Sequence, residues 1–337
     1  MTTVLTPFTK LALATLSVVV LGLVVTIWQY SQWRQQPLPV LIPITYELQK
    51  GRGAYHVIAE LRELGVLSHA TYFRILIELT RNTDRLQAGE YQLNPGLTPT
   101  ALLTKLVSGE VVQHKVTIVD GITLRELLLQ LNNDPRLIRL PLGVDETNIS
   151  DHLGLSIPFA EGYFLPNTYQ FTRGTTVAAM LRRAHEAMAQ ALADSWQERY
   201  EGPLANPEAL LTLASIIEKE TGKPEDRRQI SQVFHRRLEL NMRLQTDPTV
   251  IYALGSSFDG DLRRRDLAIE SPYNTYKVKG LPPTPIALPS IASLLAAAQP
   301  ESGDYVYFVA RGDGGSQFSR TLEEHNAAVR KYQLRAE

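Results

Sequence analysis

LLTLASIIEKET, Leu210 to Thr221, sets two carboxylates, Glu218 and Glu220, at the end of an otherwise apolar run. Leu210, Leu213, Ala214 and Ile217 recur at the i, i+3, i+4, i+7 spacing of one helix face, so the stretch reads as a helix and not as an alternating strand. At 100° per residue Lys219 points almost directly away, and the two glutamates fall on opposite margins of the apolar face. A carboxyl group held against aliphatic side chains resists ionising, which raises its pKa toward the range of a general acid. Margin glutamates are ordinarily solvated, and perturbed carboxylates also occur in structural ion pairs. The helical spacing alone chooses neither between these roles nor between the two residues.

Working outward, helices are predicted over Val177 to Arg199 and Arg227 to Arg243, a buried strand over Tyr305 to Ala310 (YVYFVA), and a closing helix over Thr321 to Leu334. Asp259 to Ser290 is loop-rich and ends in GLPPTPIALPS. In the N-terminal half a strand, a glycine turn and a short helix recur three times: ITYELQKGRGAYHVIAEL, GEYQLNPGLTPTALLTKL and KVTIVDGITLRELLLQL. Thr98 and Thr123 stand where a hydroxyl can cap a helix start. Gly89 to Leu93, Val116 and Ile118 support strands, while Ile58, Leu61 and Leu64 support a helix face. The fold class is therefore α+β: a tail over 1–10, an apolar segment over 11–30, a linker over 31–43, and a small α+β module with a following strand-turn-helix over 44–132. A connector over 133–160, marked by Pro135, Pro141 and Pro158, leads to a mixed, helix-rich α+β domain over 161–337.

Leu11 to Ile27 contains no charged residue and is flanked by Lys10 on one side and by Trp28, Tyr30, Trp33 and Arg34 on the other. Such a run with an aromatic belt nearly spans a hydrocarbon core of about 30 Å. VVTIWQYSQW lacks the small-residue pattern of a signal cleavage site, so the segment reads as a retained transmembrane signal anchor with a cytoplasmic N-terminus and the body outside. Gln35 to Pro43, rich in Pro and Gln, reads as an extended linker leaving the membrane. With 34 basic and 35 acidic residues the formal net charge is −1, which lacks the basic footprint of a nucleic-acid binder. The absence of cysteine excludes disulfides and cysteine-linked lipid anchors.

The seven histidines form no HExxH or similar pair, so metal chemistry is unsupported. GDGGSQF, from Gly312, lacks the ending of a phosphate loop and reads as a tight turn, and Ser316 does not fit a nucleophile elbow. Two loops, EGYFLPNTYQF and SPYNTYKVKGLPP, set Tyr beside Asn and Pro. Sugar-binding clefts use flat aromatic faces with amide or hydroxyl groups at the ring edges, and Tyr163, Asn167, Tyr169, Tyr273, Asn274 and Tyr276 are of that kind. The same residues also serve simply to pack and turn loops. LQTDPTVIYALG adds Gln245, Thr246 and Asp247, where Asp247 is placed to cap a helix starting at Pro248.

ASIIEKET, RLQTDPTVIYALG, SPYNTYKVKGLPPTPI and YVYFVARGDGG, in this order behind one N-terminal anchor, resemble the endolytic murein transglycosylase family, also called MltG or YceG-like. The resemblance runs from the anchor to the last helix. It implies a LysM-like module near Val40 to Ser108, a catalytic domain behind it, and Glu218 as the catalytic residue with Glu220 supporting. Gln245, Asp247 and the Tyr and Asn loops would hold the glycan. Asn167, Thr284, and Ser316 with Gln317 depart from the family's usual Asp, Gly and His. The implied reaction cleaves peptidoglycan between N-acetylmuramic acid and N-acetylglucosamine to leave 1,6-anhydro ends, at the bacterial inner membrane, without metal or organic cofactor. The resemblance also implies association with peptidoglycan synthases, in line with a role as terminator of strand elongation. A hydrolytic muramidase and a non-catalytic glycan-binding scaffold are the alternative readings.

Overall fold

In the computed structural model, residues 7–157 and 159–333 are described. Positions 1–6 of the expected tail, Pro158 of the connector and Leu334 of the expected closing helix lie outside them. The chain divides into two compact units, Met1–His114 with Phe171–Gly174, and Lys115–Gln170 with Thr175–Glu337.

In the first unit, Pro7–Trp33 forms a 27-residue helix, α1. Among the described residues it is the one helix long and apolar enough to cross a membrane, and none of its apolar window is buried. The hydroxyls of Thr15 and Thr26 donate to the carbonyls of Leu11 and Gly22 at 2.9 and 2.8 Å. Two of the three polar side chains between Leu11 and Ile27 are thereby satisfied within the helix, as an apolar surrounding requires. Strand β1 (Ile44–Leu48), helices α2 (Ala54–Glu63) and α3 (Ala70–Leu79), strand β2 (Gly89–Leu93) and helix α4 (Pro99–Ser108) follow. The strands pair antiparallel with Tyr46 opposite Tyr91. Tyr46 and Leu48 point into the core while Thr45 and Glu47 face out, the period of two that a half-buried strand requires.

Val57, Leu61, Phe73, Leu93 and Leu102 fill the core of this unit. Leu64 does not share it: α2 ends at Glu63, Leu64 becomes the C-cap and stands 50% exposed, and Ala54 and Val57 complete the apolar face instead. Thr98 caps α4 through Ala101 N–H, as its position predicts. Within the segment expected to be an extended linker, Leu38 and Val40 are buried, and Leu38 N–H donates to Leu97 O at 2.7 Å.

The second unit contains α5 (Leu124–Asn132), α6 (Ile149–Leu153), α7 (Val177–Gln197), α8 (Pro207–Glu220), α9 (Arg227–Glu239), α10 (Asp247–Leu254) and α11 (Ile291–Ala298). Strands β3 (His114–Thr117) and β4 (Thr168–Phe171) pair, all but His114 and Phe171 belonging to this unit, the β5–β6 hairpin (Tyr307–Ala310, Ser316–Ser319) comes later in the chain, and α12 (Leu322–Tyr332) is the last helix described. Thr123 starts α5 with a reciprocal capping box to Glu126. Between β5 and β6, Gly312 and Gly314 both take positive φ and make the tight turn expected from GDGGSQF.

Helix α8 is the centre of this unit, with α7, α9, α10 and α11 packed around it. Asn206 caps it through Ala209 N–H at 2.8 Å, and Pro207 occupies its first turn. Every residue from Leu210 to Ile217 is buried, including Thr212 and Ser215. The apolar stripe read from periodicity is therefore only part of its contact surface. The polar positions outside the stripe are satisfied internally: Thr212 donates to Glu208 O at 2.8 Å and Ser215 to Thr212 O at 2.7 Å. Ser215 Oγ also accepts from Ile286 N–H at 3.0 Å, which fixes the segment leading to α11 against the helix. Removing a buried leucine from such a helix costs about 2–5 kcal/mol, so the last turn of α8 projects from a rigid base.

Candidate active site

The last turn of α8 sends its two carboxylates to different surroundings. Glu218, with a side chain only 5% exposed, meets the N-terminus of α11. Its Oε2 accepts from Ser290 N–H at 2.9 Å and from the Ser290 hydroxyl, while Oε1 accepts from Arg227 Nη2 at 3.3 Å. Ser290 is also the N-cap of α11, accepting from Ser293 N–H at 3.2 Å. One serine thus ties the carboxylate to the end of a helix where the backbone dipole favours negative charge. Arg227, at the start of α9, is itself largely buried.

A turn at Asp120 and Gly121 closes the site from the other side. Gly121 takes φ +75°, and a Cβ there would stand 3.6 Å from Glu218 Cγ. Its N–H donates to Leu288 O, Leu288 N–H donates back to Ile122 O, both at 2.8 Å, and Lys219 Nζ donates to Gly121 O at 3.1 Å. These bonds hold Asp120 beside Glu218. Asp120 is exposed at the rim, yet partial withdrawal from water and the charge of Glu218 push its carboxyl above the ordinary range, against the pull of Arg227. Two carboxyls, one guanidinium and one helix N-terminus therefore converge.

Glu220 enters a separate cleft of ≈ 580 Å³ with Arg237, Gln245, Asp247 and Tyr276 on its walls. Burial pushes its carboxyl up to about 7, aided by the charge of Asp247 and opposed by a hydrogen bond from the Thr246 hydroxyl. Thr246, Thr249 and Thr275 form a buried cluster that fastens the 244–247 loop to the 273–276 loop. Gln245 is held at φ 52°, a left-handed conformation that costs a non-glycine residue about 1–2 kcal/mol. Asp247 does not cap α10: Thr246 occupies the N-cap position without a side-chain capping bond, and Asp247 accepts instead from Tyr276 OH at 2.5 Å.

The other singled-out aromatic and amide residues are distributed more widely. Asn274 is fully buried, its amide donating to Leu267 O and Ile269 O while its oxygen accepts from Tyr276 N–H. Tyr169 is buried and donates to Leu165 O at 2.7 Å. Tyr273 is half-buried, hydrogen-bonded to Thr284 at 2.8 Å, and its ring lies 5.1 Å from that of Tyr252. Tyr163 packs at the edge of the core beside His185, and Asn167 is exposed with Oδ1 accepting from Thr168 N–H.

Several members of the arrangement carry a weak sequence signal. Ser290 is marked only as a capping residue after Pro289, Arg227 is one of two adjacent arginines, and Asp120 precedes a glycine turn far from α8 in the chain. Glu161 opens a loop noted for its aromatics, but its own carboxyl is the buried element. It accepts from Leu124 N–H at 2.9 Å and Tyr252 OH at 3.2 Å, and burial pushes it up to about 7. Gly162 beside it must be glycine, since φ is +85° and a Cβ would meet Pro285 Cβ at 2.5 Å.

Residues 46–331 match the model of the YceG-like family. The chain belongs to the YceG-like family. Among the relatives of this YceG-like chain, the endolytic murein transglycosylase of Bacillus subtilis (strain 168) is 31% identical over 306 residues, covering 86% of this chain and 84% of that protein. The protein of the same name from Streptococcus pneumoniae serotype 2 is 30% identical over 322 residues, and the match spans 58% of its length. A crystal structure of a putative yceG-like protein from Listeria monocytogenes shares 32% identity over 85% of this chain and 98% of that one, with a TM-score of 0.49.

Proposed function

We propose that this chain is an endolytic murein transglycosylase acting on peptidoglycan glycan strands between N-acetylmuramic acid and N-acetylglucosamine. The names of its relatives in Bacillus subtilis and Streptococcus pneumoniae support the reaction class. The observation that carries the assignment of residues is the confinement of Glu218 between Ser290 and Arg227 with Asp120 alongside. Helix α1 anchors the protein in the inner membrane with the N-terminus inside and the body outside. Residues 44–132 comprise a LysM-like module, near Val40 to Ser108, and the following strand-turn-helix, 133–160 connect, and 161–337 carry catalysis.

Ser290 holds Oε2, so Oε1, whose contact with Arg227 is the longer one, faces the substrate. Protonated Glu218 donates to the glycosidic oxygen as the muramyl C1–O bond breaks, leaving an oxocarbenium-like centre at C1. The ionised Glu218 then takes the proton of the muramyl C6 hydroxyl, whose oxygen bonds to C1 and closes a 1,6-anhydro ring. The proton count returns to its start and no water is consumed. Arg227 and the N-terminus of α11 stabilise the carboxylate between the two transfers. Two carboxyls in one field resist ionising together, and burial with the charge of Glu218 raises the carboxyl of Asp120 accordingly.

Gln245, Asp247 and Tyr276 offer an amide, a carboxylate and an aromatic face to the strand, and Tyr163, Asn167 and Tyr273 extend the contact. Tyr169 and Asn274 hold the loops that present them. One observation favours a larger part for Glu220 than support: its carboxyl, raised to about 7 within the ≈ 580 Å³ cleft, is itself suited to proton transfer near neutral pH. Turnover of purified sacculi separates the two. Glu218→Gln abolishes anhydro-muramyl release while Glu220→Gln retains a measurable fraction; the reverse pattern would move the acid to Glu220.

A further inference from the structure

Helix α1 does not end in a flexible joint. Its last turn enters the core of the first unit: Trp33 is 7% exposed within the cluster that includes Leu38, Val40 and Phe73. Tyr72, from α3, meets both aromatic residues of that turn, with ring centroids 5.7 Å from Tyr30 and 5.5 Å from Trp33, edge to face in both cases. His69 closes the group at 5.4 Å from Tyr72 and 6.5 Å from Trp33. The backbone beyond the helix is held as well, because Arg34 O accepts from the Thr100 hydroxyl at 2.9 Å in the first turn of α4.

We propose that the face of the first unit around Ser68, His69 and Tyr72 is a lipid-headgroup contact surface, seated on the outer leaflet because α1 runs into the core of that unit without a hinge. The inference rests on the anchor reading of α1. Twenty residues at about 1.5 Å each, from Leu11 to Tyr30, match a hydrocarbon core of about 30 Å. Tyr30 then stands at the boundary of the core and Trp33 about 4.5 Å beyond it, both at the level where amphipathic rings are favoured. Whatever touches both rings shares that depth, and Tyr72 touches both. Ser68 and His69 are exposed beside it. The module would thereby meet the glycan at the membrane surface and not at the end of a tether.

The chain contains no cysteine, so single environment-sensitive labels can be attached without background. The full chain is reconstituted in vesicles of phosphatidylethanolamine and phosphatidylglycerol doped with a nitroxide lipid spin-labelled on either the headgroup or the acyl chain. A label at Ser68→Cys is quenched by the headgroup nitroxide, and a label at Val19→Cys by the acyl-chain nitroxide. A Gly-Ser insertion of about six residues between Tyr30 and Ser31, with a reach of about 13 Å, lowers Ser68→Cys quenching at least twofold and leaves Val19→Cys quenching unchanged. If Val19→Cys is quenched while Ser68→Cys is not, or if the insertion changes nothing at Ser68→Cys, the contact surface is wrong and the anchor stands. If Val19→Cys escapes quenching, the anchor reading fails and the surface with it.

Discussion

Replacing Ser290 by Ala removes one hydroxyl that both caps α11 and donates to Glu218. Loss of the cap costs about 1 kcal/mol, which in a unit of this size lowers Tm by about 2–4 °C. Loss of a hydrogen bond to a charged group is worth about 1.5–3 kcal/mol, or about 10–160-fold in kcat/KM if the bond positions the carboxylate for reaction. The remaining 2.9 Å bond from Ser290 N–H keeps the residual activity above zero. Ser290→Thr restores both duties, whereas Ser290→Asp restores the cap but sets an acceptor against Glu218. Thermal melts and release of soluble fragments from sacculi, measured on the three variants, separate stability from positioning. Stability is highest for Thr, since Ala lacks the cap and the carboxylate of Asp opposes Glu218, while activity follows Thr > Ala ≥ Asp. An Ala variant as active as the parent after correction for folded fraction, or an Asp variant matching Thr in activity, would refute the positioning role of Ser290.

Glu218→Gln removes a negative charge that raises the carboxyl of Asp120, so Asp120 titrates at lower pH in that variant when followed by NMR; an unchanged titration would show that Asp120 does not sense Glu218. Glu161 titrates near 4.5 in the unfolded chain and at about 7 in the fold. Between these values the folded chain holds a proton that the unfolded chain has released, so stability falls as pH rises through the window, by about 3 kcal/mol in all. Glu161→Gln, which can still accept from Leu124 N–H, flattens this slope in denaturant unfolding at pH 5 against pH 8, and an unchanged slope would contradict the burial argument.

The 3.6-residue period of LLTLASIIEKET located the central helix and its two glutamates, and capping residues at Thr98 and Thr123 marked the starts of α4 and α5. Periodicity could not show that α8 is enclosed on all sides, because Thr212 and Ser215 look like solvent-facing positions until their hydroxyls bond to carbonyls of the helix itself. The same limit applies to the site. Glu218 meets Ser290, 72 residues away, through a segment that Ser215 and Gly121 hold in place, and nothing local to either residue encodes that meeting. Tyr and Asn beside Pro marked the loop at 271–283 but missed strand β4, which Thr168–Phe171 forms at the end of the other stretch, and the buried amide of Asn274 and the inward hydroxyl of Tyr169 could not be told from their exposed neighbours by residue type. The linker expectation weighed Pro and Gln, whereas Leu38 and Val40 between them decide where that segment packs.

The most direct measurement is mass spectrometry of glycan ends released from purified sacculi by the parent chain and by Glu218→Gln, with circular dichroism confirming that the variant is folded. The parent produces muramyl ends lighter by one water than hydrolysis would leave, and Glu218→Gln produces none. Ends carrying the extra water would make the reaction a hydrolysis, and anhydro ends from folded Glu218→Gln would remove Glu218 from the mechanism.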